Sequence, residues 1–226
     1  MISIVMPSYN RQSFLPETID SIIAQSFKDW ELIIVDDGST DDSQFLYDYY
    51  QKLDKRIKVV NMNHGGISKA RNEGVRYATG EYIAVMDSDD VMVVDRLKLS
   101  LKAIKDVDFV YSYYGVFNGG EIQVVGSKSK ITFEDVKANG AYPHVTIMAK
   151  RKCFTENPYR DDFTANDDAW LVWKWFQAGY TSKLIKKPLV VVRMHPGNVS
   201  RTSQKEINRV QKILDKEYLD ENSWNN

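Results

Sequence analysis

Short apolar runs alternate with stretches of helical apolar spacing over residues 2–90. After the first run and a polar turn, for example, Leu15, Ile19 and Ile22 fall on one face of a helix. The pattern predicts strands at 2–6, 32–35, 57–60 and 82–86, and helices over 15–23, 45–53 (carrying Phe45, Leu46, Tyr49 and Leu53) and 67–78. Strands separated by helices favour an α/β fold with a mainly parallel central sheet and helices on its faces.

Beyond Asp90 the alternation is looser and indicates a smaller, mixed or antiparallel part of the sheet. Strands at 109–117 and 121–125 flank Asn118-Gly119-Gly120, which is typical of a hairpin. The other predicted elements are a helix marked by Leu97, Leu101 and Ile104, a capping box at Thr132 and Asp135, strands at 145–149 and 189–192, a helix over 168–178 ending at Gly179, and a final helix opened by Ser203 and Glu206. We predict one domain, with halves at 1–90 and 91–200 and a C-terminal helix over 201–226.

Length and charge narrow the possible functions. The 226 residues suit one compact domain, and 30 basic against 31 acidic residues leave a net charge of -1. This balance gives no overall attraction for nucleic acid or for an anionic membrane. The single cysteine, Cys153, cannot form an internal disulfide, and no leader-like segment or apolar run of roughly 20 residues is present. We therefore expect a cytoplasmic protein without a transmembrane segment that binds any anion at a local site.

Polar and acidic residues stand directly after several predicted strands. The clusters are Ser8-Tyr9-Asn10, Asp36-Asp37, Asp87-Ser88-Asp89-Asp90 and, later, Asp167-Asp168. Ligands of open parallel sheets bind at the carboxyl ends of the strands, so these clusters are expected to meet in one crevice. Carboxylates held close together repel unless a cation joins them, and Mg²⁺ and Mn²⁺ prefer oxygen ligands. The cluster at 87–90 therefore predicts a Mg²⁺ or Mn²⁺ site for a phosphorylated ligand.

Three stretches in this order carry a resemblance to a known family: residues 3–10 (SIVMPSYN), 31–41 (ELIIVDDGSTD) and 80–90 (GEYIAVMDSDD). Each alone is weak, but together they resemble the family 2 glycosyltransferases with a GT-A fold, from residue 2 to about residue 200. The resemblance implies an inverting, metal-dependent enzyme that takes a sugar from a nucleotide-sugar, expected to be a UDP-sugar. The implied acceptor is a saccharide or a lipid-linked saccharide in the synthesis of polysaccharide or cell-surface glycan. Residues 1–90 would bind the nucleotide and residues 91–200 the acceptor.

The resemblance also implies the residues of the donor site. They are Pro7, Tyr9, Asp36, Asp37, Lys69, Arg71, Asp87 and Ser88. Pro7 and Tyr9 would border the nucleobase, while Asp37, with Asp36 beside it, would contact the base or the ribose. Asp87 would face the ribose, and Asp89 would bind the metal ion that bridges the diphosphate. Arg71 matches a position at which family members place a basic residue near the nucleotide, and Lys69 is the competing candidate.

The second half is expected to supply the base that deprotonates the acceptor hydroxyl. Inverting family members use the Asp of a Glu-Asp pair about a dozen residues before Ala-Gly-Tyr, and here Asp167-Asp168 precedes Ala178-Gly179-Tyr180. The resemblance thus assigns the base to Asp168, whereas Asp167 departs from the family Glu and its role stays open. The segment 193–200 resembles the family's closing segment and implies His195 as a metal ligand or a phosphate donor.

Structural alternatives stand beside these assignments. Asp36-Asp37 and Asp89-Asp90 are also ordinary turn and capping chemistry. Asp167-Asp168 is also suited to stabilising a helix N-terminus. Pro196-Gly197 makes a surface turn at His195 an alternative. The aromatic residues beside the proposed base, Trp170, Trp173 and Trp175, suit either stacking on an acceptor sugar or packing in the core.

Two other classes of nucleotide-binding enzyme lack their sequence signals in this chain. A sugar-nucleotide pyrophosphorylase should show a glycine-rich loop after the first strand, and Pro7-Ser8-Tyr9-Asn10-Arg11 has no glycine. A dinucleotide oxidoreductase lacks support because no Gly-X-Gly-X-X-Gly is present. The remaining alternative is a non-catalytic sugar-nucleotide-binding subunit of a glycan assembly system. Peripheral membrane association through the C-terminal helix is the minority interpretation, and the sequence leaves the oligomeric state open.

Overall fold

The computed structural model of the protein describes residues 1–128, 135, 143–163, 167–198 and 212. Its strands are β1 (Ile2–Ser8), β2 (Trp30–Asp36), β3 (Ile57–Asn61), β4 (Tyr82–Val85), β5 (Val91–Met92), β6 (Phe109–Phe117), β7 (Gln123–Val125), β8 (Met148–Lys150) and β9 (Ser182–Arg193). Its α-helices are α1 (Leu15–Ile23), α2 (Ser43–Leu53), α3 (Ile67–Tyr77), α4 (Arg96–Ala103), α5 (Arg151–Glu156) and α6 (Asp167–Gln177). Short 3₁₀ turns occupy Ile104–Asp106 and His144–Thr146.

One mixed sheet organises these elements in the order β3-β2-β1-β4-β8-β6-β9-β5, with β7 paired to β6. The first four strands of this order are parallel, and Ser8 of β1 lies opposite Asp36 of β2. Strand β8 is antiparallel to both β4 and β6, whereas β6 and β9 run parallel. The predicted α/β fold, with a parallel half and a mixed half, is confirmed. The parallel half places the ends of β1, β2 and β4 at one edge of the sheet.

The sheet separates two apolar clusters. One contains Val5, Ile33 and Val85 together with α3, α5 and α6, and the other contains Ile4, Leu32 and Ala84 together with α1 and α4. Alternate residues of the same strand thus supply opposite faces, as the pleat of a strand buried on both sides requires. Both faces of the sheet are therefore covered by helices, and the polar residues that follow the parallel strands lie at the carboxyl edge of the sheet.

The buried face of α2 differs from the face predicted for it. Of the predicted stripe, Leu46 packs partly buried against the core, but Phe45, Tyr49 and Leu53 are exposed. The helix instead buries Tyr47 and Tyr50. The Tyr47 hydroxyl lies within hydrogen-bond distance of Ser8 Oγ at 2.9 Å and of Asp36 Oδ1 at 3.2 Å, so this ring is both packed and hydrogen-bonded beneath the strand ends. Apolar spacing alone predicted the wrong face of α2, because it does not take into account the hydrogen bonds of the Tyr47 hydroxyl.

The last strand is longer than its apolar core predicted. Residues 189–192 form only part of β9, which spans Ser182–Arg193. The lysines that interrupt the pattern, Lys183, Lys186 and Lys187, are exposed, and a register shift against β6 accommodates the central part of the strand. The predicted strand at 145–149 also shifts, since His144–Thr146 is a 3₁₀ turn and the strand begins at Met148.

Several predictions are confirmed, and two lie outside the described residues. The hairpin at Asn118-Gly119-Gly120 joins β6 to β7, and Gly179 after α6 has the left-handed backbone expected of a helix end. Thr132 of the capping box and, apart from Lys212, the C-terminal helix predicted over 201–226 fall outside the part of the chain that the structure describes. Within that part, no helix combines the length and apolar character needed to cross a bilayer.

A buried arginine fastens the sheet behind the strand ends. Arg96, in the first turn of α4, is fully buried, and its Nη2 donates to the carbonyl oxygens of Val85 and Val145 at 2.6 Å each. Burial lowers the pKa of Arg96 to about 9. The guanidinium therefore links the end of β4, two residues before Asp87, to the segment that leads into β8.

Arg96→Met is expected to reduce the free energy of unfolding by about 2–5 kcal/mol, because methionine leaves the buried carbonyls of Val85 and Val145 unpaired. Urea denaturation followed by circular dichroism measures this loss. Arg76→Met is the matched control, since the Arg76 side chain is exposed and pairs with Glu73 on its own helix. A loss in Arg96→Met no larger than that of the control would contradict the structural role.

Candidate functional site

The loops after β1 and β2 are bonded to each other at the carboxyl edge of the sheet. The Asn10 backbone N–H donates to Ser39 Oγ at 2.9 Å, and the Thr40 N–H donates to Asn10 Oδ1 at 2.8 Å. Asn10 has a positive φ of 52°, a left-handed conformation that asparagine tolerates better than most residues. The two loops therefore form one polar rim next to Tyr9.

The Asp36 carboxylate stabilises the turn that forms part of this rim. Its carboxylate accepts from Ser39 N at 3.2 Å and Ser39 Oγ at 2.5 Å, and also from Tyr47 Oη at 3.2 Å. These bonds close the turn after β2 in the manner of an Asx turn. A direct contact of Asp36 with the nucleotide remains a prediction.

Asp37 holds the segment that leads into α3. Its Oδ1 accepts from Gly65 N at 2.7 Å, and its Oδ2 accepts from Gly66 N at 2.9 Å. The neighbouring His64 stacks on Tyr9 with ring centroids 4.3 Å apart, and the Tyr9 side chain is partly exposed. Asp37 thereby places a flat aromatic pair, Tyr9 and His64, at the rim where the nucleobase was predicted. Sequence reasoning assigned no role to His64, because nothing in its local pattern links it to Tyr9.

Asp37→Ala is expected to weaken UDP, GDP and CDP alike, by roughly tenfold. Two backbone N–H groups would lose their acceptor, at a cost of about 1–3 kcal/mol, and the loop that carries His64 would loosen for every base. Isothermal titration with each nucleotide measures the effect. Asp42→Ala is the matched control, since Asp42 makes no side-chain capping bond at the start of α2. Weakening confined to UDP would show instead that Asp37 reads uracil.

The acidic cluster after β4 is held by three basic partners from distant parts of the chain. Asp87 Oδ1 accepts from Arg71 Nη2 at 3.0 Å, and Asp89 Oδ2 accepts from Arg11 Nε at 3.1 Å. The Arg193 N–H donates to Asp90 Oδ1 at 3.1 Å. Burial, followed by the charges of Asp87 and Asp89, raises the pKa of Asp90 well above its usual range. Ser88, within the cluster, and Pro7, near the end of β1, are both buried.

Arg11 and Arg193 are site residues that the sequence did not reveal. Arg11 Nη2 donates to the Gly197 carbonyl, and Arg193 Nε donates to the Asp89 carbonyl at 2.5 Å. Both arginines thus fasten the segment 193–198 over the acidic cluster. Because each contact joins residues more than 100 positions apart, no local spacing could have indicated them.

His195 lies against Asp89, as the predicted metal pair requires. The distance between His195 Nε2 and Asp89 Oδ2 is 3.0 Å, and the His195 ring stacks on Phe14 at 4.3 Å between centroids. Among the described residues, no group of three or more His, Cys, Asp or Glu side chains is arranged to hold a metal ion. One carboxylate and one imidazole nevertheless form a donor set that suits Mn²⁺ or Mg²⁺ when phosphate oxygens complete the shell.

Asp167 and Asp168 open α6 and have different environments. Asp167 is buried, and its Oδ2 accepts from Arg71 Nη1 at 2.6 Å. Asp168 Oδ1 accepts from the Ala169 N–H at 2.9 Å. Burial, followed by the negative charge of Asp167, raises the pKa of Asp168 to about 6. A carboxylate with this pKa is deprotonated at neutral pH and is suited to accept a proton.

Of the two basic candidates on α3, the structure draws Arg71 into the carboxylate cluster. Arg71 is buried, whereas Lys69 is exposed. Trp170, Trp173 and Trp175 are buried as well, and Trp175 Nε1 donates to the Cys153 carbonyl at 2.9 Å. These rings therefore pack in the core behind Asp168. The contact of Arg71 or Lys69 with a nucleotide remains a prediction.

Comparison with known proteins decides the family. The profile described as Glycosyl transferase family 2 matches residues 3–163. The chain belongs to this family. Among its relatives, WfgD of Escherichia coli, a UDP-Glc:alpha-D-GlcNAc-diphosphoundecaprenol beta-1,3-glucosyltransferase, is 30% identical over 177 residues, which cover 76% of this chain and 68% of WfgD. A glycosyltransferase of Rickettsia felis is 32% identical over 204 residues, which cover 87% of this chain. The chain spans 33% of the length of that second relative.

Solved structures share the fold of this family 2 chain. Residues 1–349 of S. aureus TarS, in complex with UDP-GlcNAc, match with a TM-score of 0.76 at 19% identity over 94% of this chain and 66% of the TarS chain. The mannosyltransferase PcManGT of Pyrobaculum calidifontis, in complex with GDP-Man and Mn²⁺, matches with a TM-score of 0.65 at 20% identity over 85% of this chain and 56% of its own. The predicted GT-A fold is confirmed.

Proposed function

We propose that the protein is an inverting glycosyltransferase that uses a nucleotide-sugar, a UDP-sugar in the first instance, as its donor. The observation that carries the proposal is the meeting of three carboxylate groups. Asp87 at the end of β4 and Asp167 at the start of α6 share the guanidinium of Arg71, and Asp168 follows Asp167 directly. This arrangement sets a donor-binding carboxylate beside a carboxylate suited to act as a base.

The nucleotide would lie along the rim formed by the first three parallel strands. Tyr9 and His64 offer a flat surface for a nucleobase, and Asp87 is placed for the ribose. Asp89 and His195 would hold Mn²⁺ or Mg²⁺, which when bound supplies positive charge to the departing diphosphate. Arg11, at 3.1 Å from Asp89, adds a second positive charge near the same place.

Asp168 would accept the proton of the acceptor hydroxyl as that oxygen attacks the anomeric carbon opposite the diphosphate. The pKa of about 6 keeps the carboxylate charged at neutral pH. Turnover should therefore fall as the pH drops through about 6, because protonated Asp168 has no capacity to accept the proton.

The acceptor class follows from the relatives rather than from the geometry. WfgD acts on a diphosphoundecaprenol-linked sugar, as its name states. We infer by analogy that this chain transfers to a saccharide or a lipid-linked saccharide during polysaccharide synthesis. A lipid-linked acceptor would place the reaction at a membrane surface, which we propose to be the cytoplasmic one.

A thermal-shift panel tests the donor assignment. UDP, GDP, CDP and ADP, and the corresponding nucleotide-sugars, are each measured with and without Mn²⁺, because a ligand of the native state raises the apparent melting temperature. We expect the largest shift from UDP or a UDP-sugar in the presence of Mn²⁺. No shift with any nucleotide would remove the proposal, and a larger shift with another base would keep transfer but change the donor.

A further inference from the structure

Arg71 joins three elements at the centre of the site. It lies on α3, its Nη2 is 3.0 Å from Asp87 Oδ1 at the end of β4, and its Nη1 is 2.6 Å from Asp167 Oδ2 at the start of α6. The side chains of Arg71 and Asp167 are each only 5% exposed, so water provides little substitute for this pairing. A guanidinium suits this place because its planar fork of donors serves two carboxylates at once.

The charge of Arg71 depends on those two partners. Burial opposes a positive charge, but the negative charges of Asp167 and Asp87 outweigh it and raise the pKa of Arg71. Removing either carboxylate would leave a buried cation only partly compensated. Both outward-facing nitrogens are therefore already bonded to protein carboxylates, which favours a role in holding the site together.

The segment that precedes α6 is fastened to the same face of α3. Ser68 Oγ donates to the Phe163 carbonyl at 2.9 Å, and Asn72 Nδ2 donates to the Tyr159 carbonyl at 2.8 Å. Arg71 stands between these two residues in the helix and makes the charged link, to Asp167. Three contacts within little more than one turn of α3 thus fix where α6 begins, and with it the position of Asp168.

Among the residues that the structure describes, four charged or titratable groups act on Asp168. Asp167 precedes it on α6, Arg71 faces it from α3, Asp87 from the end of β4, and Tyr159 from the segment before α6. Asp167 makes protonation of Asp168 easier, and Arg71 makes it harder. The balance between these two neighbours is the part of the environment that a single substitution can alter.

We propose, resting on the proposed function, that Arg71 and Asp167 form a positioning pair that ties the donor-side carboxylate Asp87 to the start of α6 and fixes the place and electrostatic surroundings of Asp168. Asp167 is then a partner of Arg71 and makes no contact with the acceptor. Its shorter side chain, where the family pattern has Glu, reaches Arg71 directly at 2.6 Å.

The test is an NMR titration of the Asp168 carboxyl carbon in protein labelled with ¹³C aspartate, with Asp168→Asn assigning the signal. Asp167→Asn is expected to lower the pKa of Asp168 by about one unit, because it removes a like charge and frees Arg71. Arg71→Lys is expected to raise it, because a lysine pairs with one carboxylate at a time and neutralises Asp167 less. Asp161→Asn is the control, since that carboxylate accepts from Asn72 on the same face of α3 but does not touch Arg71.

Kinetics of UDP release from UDP-GlcNAc separate positioning from donor binding. In Asp167→Asn we expect kcat to fall about tenfold or more while the donor KM changes less than about twofold, because the pair acts on the base. An Asp168 pKa that stays at the wild-type value in both variants, or a rise in donor KM without loss of kcat, would overturn the proposal. If Asp167→Asn does not fold, Arg71→Lys decides alone, through the predicted rise in pKa.

The NMR titration requires no turnover. The glycosyltransferase function and the positioning pair of Arg71 and Asp167 can therefore be contradicted independently. A wild-type protein that binds no nucleotide-sugar would contradict the proposed function whatever the titration shows. If the wild-type enzyme is active but neither substitution changes the pKa of Asp168, only the proposal of a positioning pair is contradicted.

Discussion

Replacing Asp168 with asparagine is expected to lower kcat by roughly 10²- to 10⁴-fold, the usual contribution of a positioned general base. Asparagine keeps the size of the side chain and can still accept from the Ala169 N–H, but it cannot take up the acceptor's proton. Donor affinity should stay close to wild type, because the role proposed for Asp168 is toward the acceptor and not toward the nucleotide. Initial rates of UDP release at saturating donor, together with titration of UDP, measure the two quantities.

A purely structural role for Asp168 predicts a different result. As a partner of the helix N-terminus it would be replaced by asparagine at a cost of about 1 kcal/mol or less, and activity would survive. Asp161→Asn serves as the control, since it removes an exposed carboxylate from the segment before α6. Near-normal turnover by Asp168→Asn would exclude the base assignment and direct attention to Asp167.

Asp89→Asn is expected to abolish the increase in UDP affinity that Mn²⁺ provides, a loss of about 100-fold or more, since a metal ion contributes several kcal/mol at a diphosphate. The substitution keeps the shape of the side chain, but it removes the negative charge that faces both Arg11 and His195. Binding of UDP without metal should change much less. Isothermal titration with and without Mn²⁺ separates the metal-dependent part of the UDP affinity from the metal-independent part.

The matched control is Asp95→Asn, because Asp95 is a partly exposed carboxylate that pairs with Ser26 and Lys98 outside the acidic cluster. It should bind UDP and Mn²⁺ as the wild type does. Retention of the full Mn²⁺-dependent increment by Asp89→Asn would remove Asp89 from the metal site. A loss of binding that is equal with and without Mn²⁺ would instead indicate that Asp89 orders Arg11 and the segment 193–198.

The parts of the fold that could be predicted are those that depend on local pattern. The apolar runs of β1, β2 and β4 are buried on both faces, so their sequence signal is strong, and the acidic residues follow from where those runs stop. The assignment failed where burial depends on a polar atom at long range. Tyr47 is in the core because its hydroxyl reaches Ser8 and Asp36, and a hydropathy pattern contains no such information.

In the candidate site, too, local sequence indicates some residues, and only the fold shows their partners. Asp87, Asp89 and Asp168 stand at recognisable positions in the sequence, next to strand and helix ends. Arg71 also matches a family position, but its pairing with Asp167, 96 residues away, has no local signal. Arg11, 78 residues from Asp89, was not recognised at all. Only the order of strands in the sheet brings these groups together, and that order is a property of the whole fold.

The most direct test of inverting transfer by Asp168 is the configuration of the sugar first released from UDP-α-GlcNAc. The reaction is followed by ¹H NMR with Mn²⁺ present and water as the acceptor, before the free sugar equilibrates between anomers. We predict that the β anomer appears first with the wild-type enzyme and with Asp161→Asn, and that its appearance is lost in Asp168→Asn. Initial release of the α anomer, or undiminished release by Asp168→Asn, would contradict inversion with Asp168 as the base.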